Sequence, residues 1–430
     1  MKRRPWLIFV FLFSTGLIQA QDEFFDLPED TAGELAPQTL DFSGELAAEL
    51  RAYLYDFPES SLEFVSSANL ELRAESEHSE AIIRLKAELS DQGAEPVTWE
   101  DLVEDAVVRY FFAAGFLEAG YTTVEWGKGD GMHAADPVNP LDQSEGFGGD
   151  TADLKIPVPL VRTAFYTGAN SLLEFVYAPL FVPMVTADQG RWVPYEIPDT
   201  ITVITDERPE MSLAHFQGGI RYTFTAGPAD LGFQYYCGYM HDPGFVYLSA
   251  TEMELVYTRY QLFAGEAAVA AGPFTFRCEA GFKLTEDIEG DDPSLYNSRA
   301  VYLAGFDVSV PGTKFYILCQ ASGDYTSGTD GLPADDIDVM TGYGYPARMH
   351  NIAVSVEHPF FHDKMNIRIS GLYMPEANGY YISPEMTYDL ADNLQLGITG
   401  GFYGGEEKDY SLPAFWEDND YLQVGLKASF

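Results

Sequence analysis

Hydrophobic and polar residues alternate with a period of two over long stretches of this chain. Near the C-terminus Leu422, Val424, Leu426, Ala428 and Phe430 share one parity, while Tyr421, Gln423, Gly425, Lys427 and Ser429 share the other. Side chains of an extended segment point alternately to its two faces, so the pattern predicts a strand with one apolar and one polar face. Leu46, Ala48, Leu50, Ala52 and Leu54 oppose Glu45, Glu49, Arg51 and Tyr53 in the same way, and Ala81, Ile83, Leu85, Ala87 and Leu89 oppose Arg84, Lys86 and Glu88. Met365, Ile367 and Ile369 oppose Asn366 and Arg368, and Leu394, Leu396, Ile398 and Phe402 oppose Gln395 and Thr399. About eighteen strands are predicted, near 44–55, 61–75, 79–90, 104–115, 117–127, 159–167, 170–180, 213–225, 228–240, 253–271, 272–284, 297–309, 312–323, 348–359, 364–375, 378–388, 393–404 and 419–430. Boundary errors of about ±2–4 residues leave sixteen as the alternative count.

The connections separate a barrel from a soluble sandwich, whose outward faces would be polar and whose strands are usually shorter. Even-numbered connections are tight: Gly168-Ala169-Asn170, Ala226-Gly227-Pro228, Ala271-Gly272-Pro273, Pro311-Gly312 and Ala391-Asp392-Asn393. Odd-numbered ones are mostly long and acidic, as at 128–158, 181–212, 241–252, 285–296, 324–347 and 405–418. Short periplasmic turns and long extracellular loops are what a transmembrane barrel requires when both chain ends are periplasmic. Closure also removes the unpaired edges that lipid cannot satisfy. The expected fold is therefore all-β: an antiparallel up-and-down transmembrane β-barrel. One stretch breaks phase, because Arg259 and Glu266 cannot both point inward on a continuous register. Either a bulge lies around Ala264 to Glu266, or Tyr257 to Gln261 rises above the membrane.

Ahead of the first strand, Lys2, Arg3 and Arg4 precede an apolar run from Trp6 to Phe13 and small or polar residues up to Ala20. That order is a signal peptide, with cleavage expected after Ala20. The chain then divides into a leader at 1–20, a short periplasmic segment at 21–43 and a barrel at 44–430. No later run of ~18 apolar residues would make a membrane helix.

Charge narrows the partners. With 67 acidic residues against 24 Lys and Arg, the formal charge is −43, and loss of the leader makes it more negative. Nucleic acid is excluded, since there is no basic surface to displace phosphate counterions; such a field attracts cations and repels polyanions. Cys237, Cys278 and Cys319 are an odd set within predicted strands, which reads as small apolar fillers rather than a disulfide framework. The 30 Phe and 27 Tyr include many near strand ends, among them Tyr53, Tyr55, Tyr110, Phe111, Phe112, Tyr235, Tyr236, Tyr380, Tyr381, Phe402 and Tyr403. Amphipathic rings favour the lipid–water boundary, so two aromatic girdles are expected.

Arg51, Arg73, Arg84, Lys86, Arg109, Arg162, Arg221, Arg277, Lys283 and Arg368 fall on polar strand faces, with Glu49, Glu63, Glu71, Glu88, Glu118 and Glu279. Arg or Lys facing hydrocarbon at the midplane costs ~2–4 kcal/mol, so these residues are expected to line a hydrated lumen. They either face a conducting path or brace the wall as ion-pair ladders. Glu286, Asp287, Glu289, Asp291 and Asp292 crowd one loop, and Asp330, Asp335, Asp336 and Asp338 another. As a calcium cage the first set is loose and carries Asp292 where Gly is needed, so no metal is expected. The seven His read as surface or turn residues, including His133, His358 and His362. No phosphate loop, Cys/His metal motif or lipase elbow is present; neither catalysis nor a cofactor is expected.

Glu125-Trp126-Gly127-Lys128-Gly129-Asp130, followed by Asp136-Pro137-Val138-Asn139-Pro140-Leu141-Asp142 and Pro157-Val158-Pro159-Leu160, resembles a stretch of porin-like outer-membrane barrel families of Gram-negative bacteria. It is similar, more distantly, to alginate-export porins. The resemblance covers about forty residues and implies that Trp126 and Gly127 form a strand exit. It also implies that Asp130, Asp136, Asn139 and Asp142 belong to a loop at or in the pore. Asn-Pro and Asp-Pro steps fix turns, which suits a constricting loop or an external one. Ending on an aromatic residue, Phe430, resembles the signal read by the barrel-assembly machinery. The expected partners are outer-membrane lipid, that machinery and small solutes. A passive channel is the expected function; a substrate-specific transporter or exporter, an adhesin and a membrane hydrolase are the alternatives.

Overall fold

The computed structural model describes residues 39–55, 61–90, 102–146, 152–187, 189–194, 201–329, 347–406 and 411–430. The expected leader and the acidic set from Asp330 to Asp338 lie outside them.

Eighteen strands form one sheet: β1 Thr39–Tyr53, β2 Leu62–Glu75, β3 Ser79–Ser90, β4 Val103–Phe112, β5 Gly115–Thr122, β6 Val158–Gly168, β7 Ser171–Tyr177, β8 Gly218–Ala226, β9 Ala229–Tyr239, β10 Arg259–Ala271, β11 Phe274–Thr285, β12 Arg299–Ser309, β13 Tyr316–Thr326, β14 Arg348–Phe360, β15 Met365–Met374, β16 Gly379–Ala391, β17 Leu394–Gly404 and β18 Tyr421–Ser429. Each pairs antiparallel with its neighbour in sequence. β18 returns to β1 in a register from Glu45 opposite Ser429 to Tyr53 opposite Tyr421. Gly44 and Phe430 exchange a pair of backbone hydrogen bonds of 3.0 Å across this seam. The sheet is thus a closed barrel with every strand paired on both sides.

The alternation decides which face is which. Leu46, Leu50, Ile83, Leu117, Val161, Phe263, Phe282, Ile369, Ile398 and Val424 are exposed on the outside, whereas the opposite parity carries the ionised residues apart from a few at strand ends such as Glu104 and Arg259. An apolar belt around a closed barrel is stable only in contact with lipid, so the barrel spans a membrane. Exposed aromatics form one band near the short-turn rim, with Phe165, Tyr166, Phe274, Phe276 and Phe360, and another near the long-loop rim, with Phe175, Tyr325, Tyr373 and Tyr380. Tyr53, Tyr236, Tyr381 and Tyr403 do not join these girdles: they have inward parity and are buried. The three cysteines are free and lie at outward-parity positions.

Several boundaries differ from the sequence pattern: the strands expected from 213 and 312 start at Gly218 and Tyr316, the one expected to reach 180 ends at Tyr177, and three further differences bear on the site. β1 starts at Thr39, five residues ahead of the expected 44. The strand expected at 117–127 ends at Thr122, so Trp126 and Gly127 are loop residues and not a strand exit. The stretch expected as one strand at 253–271 is two. Glu252–Val256 joins Thr202–Glu207 and Gly244–Ser249 in a small sheet beyond the long-loop rim, and β10 begins at Arg259. No bulge interrupts β10, whose register is continuous with both neighbours. The apparent slip arose because Tyr260 and Leu262 are apolar yet face inward, where they are covered by an inserted loop; Arg259 has outward parity, beside the Cys237 sulfur at 3.9 Å.

Candidate functional site: the lumen and its inserted loop

In the connection from β5 to β6, the described residues 123–146 and 152–157 fold against the inner wall. Its two ends are spliced by Asn139, whose Oδ1 accepts the Val124 N–H at 2.8 Å while its amide donates to the Ile156 carbonyl at 2.9 Å and the Thr122 carbonyl at 3.3 Å. The Lys155 ammonium donates to the Val124 carbonyl at 3.0 Å and pairs with Asp136. Burial raises the Asp136 carboxyl above its ordinary value although Lys155 pulls the other way. Trp126, fully buried, packs with Val138 of the loop and with Val158, Val176, Tyr236, Tyr260 and Leu262 of the wall. The loop therefore carries its own apolar contact surface into the barrel, and hydrophobic burial holds it there.

Glu279 on β11 anchors the tip. Its side chain is wholly buried. One carboxylate oxygen accepts the backbone N–H groups of Lys128 (2.8 Å) and Gly129 (2.7 Å), the other those of Ala134 (2.7 Å) and Ala135 (3.0 Å). His133 Nδ1 lies 3.1 Å from the first oxygen. Gly127 makes the approach possible: its φ is +114°, and a Cβ there would stand 2.4 Å from Glu279 Oε1. Further along, Arg277 donates to the Lys128 carbonyl at 3.1 Å, and Asp130 exchanges backbone bonds with the Gln320 amide on β13. From β8, Arg221 donates to the carbonyls of Glu125 (3.4 Å) and Gly127 (3.3 Å). His133 is thus a buried anchor and not a surface histidine. Burial alone would lower its pKa, but the hydrogen bond and charge of Glu279, with Asp136 and Glu125 nearby, outweigh this and raise it.

The sequence-predicted charges all have inward parity, and most are paired. Arg109 bridges Glu80 (2.7 Å) and Glu118 (2.8 Å); Arg162 bridges Glu118 (3.6 Å) and Glu174 (3.0 Å); Arg221 bridges Glu174 (3.5 Å) and Glu266 (3.2 Å). A ladder of alternating sign therefore runs across the wall from β3 to β10. Arg84 pairs with Glu71 (2.7 Å) and Asp105 (3.1 Å), Arg73 with Glu71 (3.4 Å), Lys86 with Glu88 (3.5 Å), and Arg277 with Asp307 (2.9 Å). Arg51 lies 3.4 Å from Glu63, and Glu49 accepts from Gln423 at 2.8 Å. Arg368 stands apart from the ladder, paired with Glu385 at 2.6 Å. Asp142 is not part of the Glu279 anchor; it accepts the Ser144 N–H at 2.9 Å in a short parallel pairing of Asp142–Gln143 with Val185–Thr186.

A second assembly had no signal in the sequence. The β7–β8 connection crosses to the opposite side of the ring, nine strands from β8 to β17. There Trp192 packs on Tyr403 and Trp416 at centroid distances of 5.6 and 5.4 Å, and the Arg191 guanidinium lies 3.5 Å from the Tyr53 ring centroid. Asn419 donates to the Arg191 carbonyl at 2.7 Å and Trp416 to the Val193 carbonyl at 3.2 Å. This strap is tied to its neighbours by buried His241, whose ring nitrogens lie 2.8 Å from the Val182 carbonyl and 3.4 Å from that of Pro137. Burial lowers the His241 pKa, so the neutral ring donates only one N–H. In the acidic loop, both Asp287 oxygens accept backbone N–H groups, of Gly290 and Asp292.

No family model matches the chain, and no curated protein does. Among solved structures the barrel is similar to a mutant of the Rh. blastica porin, at 10% identity, 91% of this chain, 100% of that one and a TM-score of 0.42. It is similar to Salmonella typhi OmpF in complex with daunomycin, at 10% identity, 91% and 97% coverage and a TM-score of 0.45. It is also similar to the outer-membrane channel DcaP of Acinetobacter baumannii, at 9% identity, 91% and 97% coverage and a TM-score of 0.44.

Proposed function

We propose that this chain is an outer-membrane channel through which small hydrophilic solutes pass down their gradients. The observation that supports it best is the group of ionised side chains inside a closed wall that remain half-exposed: Arg84, Lys86 and Arg368 have side-chain exposures of 42%, 47% and 44%. Charged groups stay ionised where water reaches them, so a hydrated lumen is the simplest account. In this reading Arg51, Arg73, Arg84, Lys86, Arg109, Arg162, Arg277 and Arg368, with Glu49 and Glu71, form the pore wall, while Arg221 and Glu279 serve it from beneath the inserted loop that they hold. The segment carrying Trp126, Asp130, Asp136, Asn139 and Asp142 narrows the passage. The short-turn rim and both chain ends are periplasmic, and the acidic loops face the medium, where they repel polyanions. Residues 1–20 act as the export leader. Phe430, exposed on the outer face with its ring 5.7 Å from that of Phe42, is available to the assembly machinery.

Planar-bilayer recording tests the proposal. Folded protein should insert with stepwise conductance increments; barrels that insert and never conduct would overturn it.

A further inference from the structure

Ionised side chains on the inner wall divide by their access to water. Glu118, Glu174, Glu266 and Glu279 expose 3%, 2%, 1% and 0% of their side chains. Glu385 exposes 30%, its partner Arg368 44%, and Lys427 on β18 49%. Depth in the wall does not explain the contrast. Glu385 lies six residues from the short-turn end of β16 at Ala391, Glu266 five from that of β10 at Ala271, and Glu174 three from that of β7 at Ser171. The difference is the inserted loop, whose tip at 125–135 is anchored on β8 to β13 and whose apolar surface covers the wall from β6 to β10, while of its described residues only Glu145, 3.9 Å from Arg51, reaches the facing wall.

On the facing wall the strap covers only the tyrosines at the long-loop end, Tyr53, Tyr381, Tyr403 and Tyr421, and below them the inward positions of β14 to β17 include small, polar residues. Ser355 and Ser370 share a hydrogen bond of 3.0 Å, and Ser383 and Thr399 continue the same surface. Charge differs as well. In the ladder every arginine lies between two carboxylates, so it offers no free charge to a solute. On the facing wall Glu357 and Glu49 are hydrogen-bonded to the amides of Asn366 and Gln423 and not to a cation. We infer that the water path runs along the wall from β14 through β18 to β3, and that these carboxylates make it favour small cations over anions. The inference rests on the channel reading above.

Site-directed thiols test it in the full chain. Cys237, Cys278 and Cys319 are first replaced by Ala, which is cheap because they sit at outward positions. Single variants Ser370→Cys, Ser383→Cys, Thr399→Cys and Ala164→Cys are then reconstituted in phosphatidylcholine vesicles. Each is treated with a cationic trimethylammonium or an anionic sulfonate methanethiosulfonate. The first three should be modified, with the cationic reagent roughly ten-fold faster, the lower end of electrostatic steering. Ala164, fully buried at the covered wall, should give a thiol that reacts only after unfolding. Refractory thiols at 370, 383 and 399, or faster modification by the anion, would overturn the inference, and the three sites suffice if the Ala164 variant does not fold. Modified thiols in a membrane that carries no current support the route and retire the channel. Current without modification retires the route and leaves the channel.

Discussion

At the scale of single residues, the placement of the inserted loop depends most on Glu279. Four backbone N–H groups and one imidazole converge on a carboxylate with no access to water. Removing the acceptor leaves these donors buried and unpaired, and breaking such a buried charged contact costs about 3–5 kcal/mol. In Glu279→Ala, protease cleavage between 128 and 136 should therefore become fast in a barrel that still resists heat denaturation in detergent. Unchanged protection would show that the apolar contacts of Trp126 suffice alone. His133 adds a pH dependence. Its folded pKa is raised above the ordinary 6.5, so the stabilisation it gives is complete below about 6.5 and is lost as the pH rises through the raised value. The groups facing it are Glu279 from the wall and Glu125 and Asp136 from the loop. Amide exchange at 128–135, corrected for intrinsic rates, should accelerate across that window, and His133→Asn should abolish the step.

At the scale of strands, the ladder from Glu80 to Glu266 joins seven strands through their side chains, with Arg221 on β8 reaching across β9 to Glu266 on β10. Glu174 is its most exacting member, nearly fully buried and shared by Arg162 and Arg221. Glu174→Ala strands two guanidinium groups and should lower barrel stability by about 3–5 kcal/mol, measurable as a lower unfolding temperature in detergent. If the water path avoids this wall, the ion preference of the surviving channels should stay as in the parent; a changed preference would place the ladder in the path. The strands themselves were legible in the sequence because parity alone separates lipid from lumen, as β18 and β1 show. The pattern failed where the lumen is not wet. Tyr260, Leu262 and Tyr236 have inward parity but apolar chemistry, since what they meet is the inserted loop. Period-two reasoning assigns apolar residues to lipid and so misread Arg259 to Glu266. His133 was misplaced for the same reason: nothing local to residues 128–136 reports a carboxylate about 145 positions downstream.

At the scale of the whole molecule, the barrel wall and the material inside it are held by different forces. The wall is closed by backbone hydrogen bonding from β1 to β18 and needs no lumen contact to persist. The strap from β7–β8 is held across the mouth chiefly by aromatic packing of Trp192 on Tyr53, Tyr403 and Trp416 and by Arg191 over Tyr53. This landing site lies over the wall proposed to carry the solute, so the strap narrows the outer end of the path. Trp192→Ala removes packing worth about 3–5 kcal/mol, as for large aromatic truncations generally. That loss falls on the strap alone, because no ladder hydrogen bond of the barrel involves residues 189–194. Single-channel conductance should rise while the unfolding temperature of the barrel stays unchanged. A variant that conducts no better than the parent would mean that the narrowest point lies deeper, beside the loop held by Glu279, and the Glu279→Ala variant should then be the one that widens the pore.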